Sequence, residues 1–369
     1  MNTEVFDKSR RFYENKVAPM IHEKFPEYES HIAVGLSGEG SDCFGYDDFI
    51  SRDHDFGTGV CLWLTDTDFH TFGRLLSIAY NELVDSTPGA DLTDRLRQRR
   101  GVMTINGFYS YVLGTNIEAE ENHISENLWR KIDHSCLATA VNGDVFRDDQ
   151  GIFTSFRSTL LDYYPDRIWR ERIANELHRF ASSLQVNYSR CMARKDIVAA
   201  EICKATGLQA AMELFFLLRR TYPPYYKWTF RALESLDSNG RFSRLLKDLA
   251  ETPCSLQAWE YIRYMPDNLN MSDRIVVLSE QIAEIIVAML TKKNLITGQN
   301  TYLEKYVDEV EATHTMDAKR AAELVNIIRP EYAIPTHYGS IVGKKTDGKT
   351  FASLVNSPIK VVEKIQYFD

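Results

Sequence analysis

Residues 40–57 constrain this chain more than any other stretch. They read Gly40-Ser41-Asp42-Cys43-Phe44-Gly45-Tyr46-Asp47-Asp48-Phe49-Ile50-Ser51-Arg52-Asp53-His54-Asp55-Phe56-Gly57, with the apolar run Gly59-Val60-Cys61-Leu62-Trp63-Leu64 close behind. Ile32-Ala33-Val34 precedes them and has the character of a strand. The expected unit is therefore strand, small turn, polar loop, strand. Acids at i and i+2 of an extended segment point to one face, so Asp53 and Asp55 would converge while His54 turns to the other face and packs. Two converging carboxylates suit Mg²⁺, a hard cation that takes oxygen ligands and shares them with phosphates. The Gly40-Ser41 pair allows backbone N–H groups and a hydroxyl to approach a triphosphate closely. These are the parts of a metal-dependent nucleotidyl-transfer site. The plain alternative is a pair of solvated loop acids beside an ordinary tight turn.

The order and spacing carry a resemblance. Ser41 is followed after twelve and fourteen residues by Asp53 and Asp55, on a strand–turn–strand frame. This resembles the nucleotidyltransferase (DNA polymerase β-like) superfamily. More narrowly, Gly38-Glu39-Gly40-Ser41 through Gly57, with Gly143-Asp144-Val145-Phe146-Arg147-Asp148 and Tyr222-Pro223-Pro224-Tyr225-Tyr226-Lys227-Trp228, is similar to the bacterial family called domain of unknown function 4037. That resemblance spans roughly residues 5–312. It implies transfer of an NMP from an NTP, with ATP expected, onto a hydroxyl acceptor with release of pyrophosphate. Asp53 and Asp55 would be the catalytic Mg²⁺ ligands, with Gly40 and Ser41 facing phosphate and Arg52 neutralising a phosphate or a nearby acid. Such sites use a third acid, which the Val102–Ile105 segment lacks; Asp144 or Asp148 could supply it. Without one, the chain would be a weakened nucleotide-binding or regulatory module. Asp47 and Asp48 could instead shape the loop through side-chain-to-backbone bonds.

Lys227 follows a rigid Tyr-Pro-Pro-Tyr corner, and its compact ammonium suits phosphate as a point charge. Trp228 and Tyr225 could stack on a ring or be core aromatics under a proline bend.

Composition narrows the class. A chain of 369 residues suits two domains with sizeable cores. Its net charge of −9 argues against general nucleic-acid binding, which needs a basic face to release counterions. Arg95, Arg97, Arg99 and Arg100 do cluster, and read as a solvated helix end. The six cysteines have no C-x-x-C spacing, so neither a zinc knuckle nor a disulfide framework is expected. The N-terminus lacks an apolar leader and no stretch approaches the ~20 apolar residues of a membrane helix, so a cytoplasmic location is expected.

The fold class expected is α+β. Residues 1–150 form a small mixed-sheet nucleotidyltransferase-like domain, 151–312 an α-helical bundle and 313–369 a short α/β tail. Residues 5–24 read as an amphipathic helix that Pro19 kinks or splits. Thr65 begins a helix to about Val84, Val102–Ile105 is a short strand, and Asn106-Gly107 a turn after it. Helical spacing then covers Ile168–Leu184, Asp196–Leu218, Phe242–Leu249 and Arg274–Leu290. The tail, a helix leading to Pro335-Thr336-His337-Tyr338-Gly339, resembles the end of a metallo-β-lactamase-fold hydrolase. No His-x-His-x-Asp-His motif stands upstream, and one histidine cannot make a zinc site that needs about three protein ligands. A metal-dependent hydrolase is thus the weakest alternative, and the tail reads as a packing appendage.

Overall fold

The computed structural model describes residues 4–46, 48, 50, 57–90, 92, 94–262, 269–312, 318–336 and 346–362. The protein is a mixed α+β chain, mostly helical, with a small mixed four-stranded sheet and a two-stranded one among the described residues. It divides into two compact units: residues 1–165 with 220–236, and residues 166–219 with 237–369. The segment 220–236, which includes Lys227, therefore belongs with the first unit.

In the first unit β1 (Ala33–Leu36), β2 (Cys61–Leu64), β3 (Val102–Thr104) and β4 (Asp144–Arg147) are ordered β3-β2-β1-β4. β1 runs antiparallel to both β2 and β4, while β2 and β3 are parallel. β2 is buried throughout because both sheet faces are covered. Its alternate residues divide between them: Leu62 and Leu64 join Ile32, Val34, Ile21 and Leu76 in one core. On the other face Trp63 stacks on Phe153 at 3.8 Å, with Phe108 edge-on. Gly35 is required on β1, since a Cβ there would meet the Asp144 carbonyl oxygen at 2.5 Å.

Pro19 does not split the N-terminal helix, whose backbone stays helical from Glu4 to Lys24. Glu4–Phe12 and Ala18–Lys24 are joined by a π-helical turn, Tyr13–Val17, in which the Ala18 N–H reaches back to the Tyr13 carbonyl. Pro19 follows directly on that π-helical turn, the kind of local adjustment that accommodates a missing N–H inside a helix. Asn106-Gly107 departs from the expected turn and lies in the helix Ile105–Leu113. Thr104 caps that helix by accepting from the Gly107 N–H at 2.9 Å, and Ile105, Phe108, Tyr109 and Val112 bury one face.

The second unit is built around Asp166–Phe180, Ile197–Arg219, Arg241–Glu251 and Arg274–Lys292, near the expected positions. Trp169 donates its indole N–H to the Leu217 carbonyl at 2.8 Å, tying the first two together. Farther on, Ala318–Ile328, β5 (Tyr332–Ala333), Asp347–Leu354 and β6 (Lys360–Val361) enclose a small core of Ala322, Ala333 and Phe351. β5 and β6 pair in parallel. His337 lies outside the described residues. Among the described residues no helix is long and apolar enough to cross a membrane.

Candidate active site

The strand directions bring four chain segments to one end of the sheet. β1 exits there, and its neighbours β2 and β4, being antiparallel to it, enter there; β3, parallel to β2, enters there as well. The turn after β1 thus meets the approach to β2, residues 99–101 and residues 142–144.

Side chains fasten these segments. Asn142 accepts from the Gly38 N–H at 2.9 Å and donates to the Gly38 carbonyl at 2.7 Å; the Ser37 hydroxyl adds a third bond at 3.2 Å. Gly38 and Gly40 hold φ of +114° and +124°, which side-chain-bearing residues rarely adopt. Beneath the turn, Asp42 forms an ion pair with Arg100, their side chains 3% and 2% exposed. Arg100 also donates to the Gly57 carbonyl, and Asp42 accepts from the Cys43 N–H at 2.9 Å. A Cβ on Gly40 would collide with the Asp42 carboxylate, so that glycine makes room for the buried acid. Ser41 anchors the following turn through its carbonyl, which accepts from the Tyr46 N–H at 2.8 Å.

Burial works against the Arg100 charge, yet Asp42 opposite it carries its pKa above the ordinary arginine value. Burial pushes the Cys61 thiol up to about 11 and the Cys43 thiol well above its usual range. Burial thus disfavours the thiolate form of both cysteines.

The segment 220–236 reaches this region through aromatic anchors. Tyr222 stacks on Tyr163 at 4.6 Å and donates to the Leu160 carbonyl at 2.8 Å. The helix Tyr226–Leu236 then lays Trp228 on Tyr46 at 5.3 Å, five residues beyond Ser41. Arg231 lies over both rings, 5.3 Å from Tyr46 and 5.4 Å from Trp228, and pairs with Asp48 at 3.5 Å. Lys227 is exposed and rests 5.2 Å from the Trp228 ring centre. Tyr225 and Tyr226 stand beside it, 47% and 77% exposed.

The expected site residues fall into three groups. Gly40 and Ser41 occupy the turn, and Lys227 joins it through Trp228 and Tyr46. Asp144 stands at the same sheet end, opposite Leu36, half exposed and paired with Arg10 at 2.5 Å. Asp148 is committed elsewhere: its two oxygens accept from the Gly151 and Thr154 N–H groups at the start of Ile152–Leu161. Arg52, Asp53 and Asp55 lie outside the described residues. Asn142, Asp42, Arg100, Tyr46 and Arg231 were not singled out as site residues in the sequence. Asn142 had a signal in its place next to Gly143-Asp144. The basic cluster is not a solvated helix end, since Arg100 is buried and Arg99 pairs with Glu39 at 2.6 Å.

Residues 129–229 match the family described as Domain of unknown function (DUF4037). The matched stretch holds Asn142, Asp144, Lys227 and Trp228. No curated protein and no solved structure matches the chain.

Proposed function

We propose that the chain is a Mg²⁺-dependent nucleotidyltransferase that moves an NMP from an NTP, ATP foremost, onto a hydroxyl acceptor and releases pyrophosphate. The observation that carries this reading is the turn after β1. Two positive-φ glycines are pinned by Asn142 and by the buried Asp42–Arg100 pair, at the sheet end where the chain enters β2 behind Asp53 and Asp55. A turn fixed in this way presents Gly40 and Ser41 to phosphate oxygens without reordering.

Among the described residues no group of three or more His, Cys, Asp and Glu side chains could hold a metal. Asp53 and Asp55 would form the donor set, and their hard carboxylate chemistry suits Mg²⁺. Bound Mg²⁺ supplies neutralisation of phosphate charge. Arg52 and Lys227 would add positive charge, a reading supported for Lys227 by its contact with Trp228, which stacks on Tyr46. Of the two acids that could take the acceptor proton, Asp144 is the better assignment, because Asp148 is spent on its helix cap. The acceptor is a small-molecule or macromolecular hydroxyl compound. The tail of residues 318–362 has its own small core and no assigned catalytic part.

The Arg10–Asp144 pair favours one second reading, a nucleotide-binding module without turnover. Titrating Mg-ATP calorimetrically and following pyrophosphate release across an acceptor panel separates the two. A transferase binds Mg-ATP and releases pyrophosphate, and Asp144→Asn slows release while binding persists. A binding module takes up Mg-ATP and releases none. Undiminished binding and turnover in an Asp53→Asn, Asp55→Asn double variant would remove the site assignment altogether.

A further inference from the structure

The second unit contains a cleft of about 350 Å³ that the nucleotide reading does not use. The end of Ile197–Arg219, the start of Arg241–Glu251 and the last turns of Arg274–Lys292 enclose it. Its floor is a pair of buried rings, Phe215 and Phe242, stacked at 5.1 Å with 16° between their planes. Ile285 and Met289 supply apolar walls. Charged residues line it as well: Arg219, Arg241, Lys292 and Glu284, all exposed, and the buried Asp237, three positive groups and two negative. One of the negatives is already engaged, since Asp237 accepts from the Ser243 N–H at 2.8 Å. Arg241 and Lys292 have no ion-pair partner among the described residues. Arg219 lies over the Phe215 ring at 5.2 Å, so a cation stands directly above the aromatic floor.

An apolar slot of this size takes one or two fused rings, near the lower end of the range for small-molecule pockets. A charged rim adds orientation and a preference of sign. We infer that this cleft binds a planar organic anion, an aryl carboxylate or a compound of the same chemistry, with its ring against Phe215 and Phe242 and its charge toward Arg241 and Lys292. The competing role for these cations is completion of helix ends, because Arg219 and Lys292 sit in last turns. In that role they would show no preference for a charged ligand.

The test compares naphthalene-2-carboxylate with naphthalene-2-carboxamide, which share a ring and differ in charge, using calorimetry on the full chain. The carboxylate should bind about tenfold more tightly, as one charge-assisted contact allows. In an Arg241→Gln, Lys292→Gln double variant the two should come within about twofold of each other. Ala288→Phe, a change at an exposed position of the rim, should weaken both by filling the slot. Equal binding of the two compounds by the wild type overturns the inference, as does a carboxylate preference that survives the double variant. Should Ala288→Phe fail to fold, the charge comparison alone decides.

Discussion

The two units bury charge in opposite ways. At the sheet end of the first, Asp42 and Arg100 are a matched pair, and Cys43 N–H and the Gly57 carbonyl engage them further. In the second, Glu176 and Glu213 are like charges brought together from Asp166–Phe180 and Ile197–Arg219, with one Arg179 between them and Gln209 donating to Glu213. Burial, reinforced by Glu213, pushes Glu176 up to about 7. A matched pair holds its geometry wherever both groups are ionised. A like pair persists only if a proton is retained, which makes it sensitive to pH. The first arrangement keeps the turn after β1 fixed. The second ties part of the helical unit's stability to conditions.

The sharpest way to break this contrast is Arg100→Met. It leaves the Asp42 carboxylate buried without its partner, and should cost about 3–5 kcal/mol in denaturant unfolding. A loss below about 1 kcal/mol would show that the pair is not what secures the turn. Asn142→Ala comes next. Removing both bonds to Gly38 and the one from Ser37 should cost about 1–3 kcal/mol and raise the KM for Mg-ATP, while a fully stable variant would place the fastening elsewhere.

For Glu176 the sign is set by its raised pKa. Below the unfolded value of 4.5 the carboxyl is protonated in both states and its contribution is complete; that contribution is lost as pH rises through about 7. Glu176→Gln should therefore gain stability relative to wild type as pH climbs through this window, by roughly 1–2 kcal/mol at pH 8 once weakened contact with Arg179 is set against it. Melting curves from pH 5 to 8 measure it, and a difference that stays constant would end the like-pair account. The smallest effect belongs to Arg10→Ala. Its pair with Asp144 is about half exposed, so stability should fall by no more than ~1 kcal/mol, and any change in turnover would report on Asp144 itself.

Local patterns were legible wherever one residue type forces one conformation. Thr65 caps its helix by accepting from the Asp68 N–H, and the long apolar spacings fold as helices. Asn106-Gly107 misleads because its turn preference is local, whereas the Thr104 cap and four buried apolar residues act together. Arg100 misleads for a similar reason: four arginines within six residues resemble a solvated face until the acid that meets one of them is known. Lys227 was legible as a cation on a stiff corner, but the stacking of the next residue, Trp228, on Tyr46, 182 positions away in sequence, was not.

The sequence by itself determined the sheet-plus-helix composition and the glycine turn after β1, and it supplies the closely spaced Asp53 and Asp55 on which the proposed chemistry rests. Each depends on neighbours a few residues apart, where spacing fixes which side chains share a face. Only the tertiary structure decided that Asn142 pins Gly38, that Asp42 meets Arg100, that Asp148 is a cap while Asp144 faces Arg10, and that Trp228 stacks on Tyr46. Most of these contacts join residues far apart in the chain, and strand pairing and core packing select them. No local preference encodes which distant partner a buried charge or an aromatic ring will find.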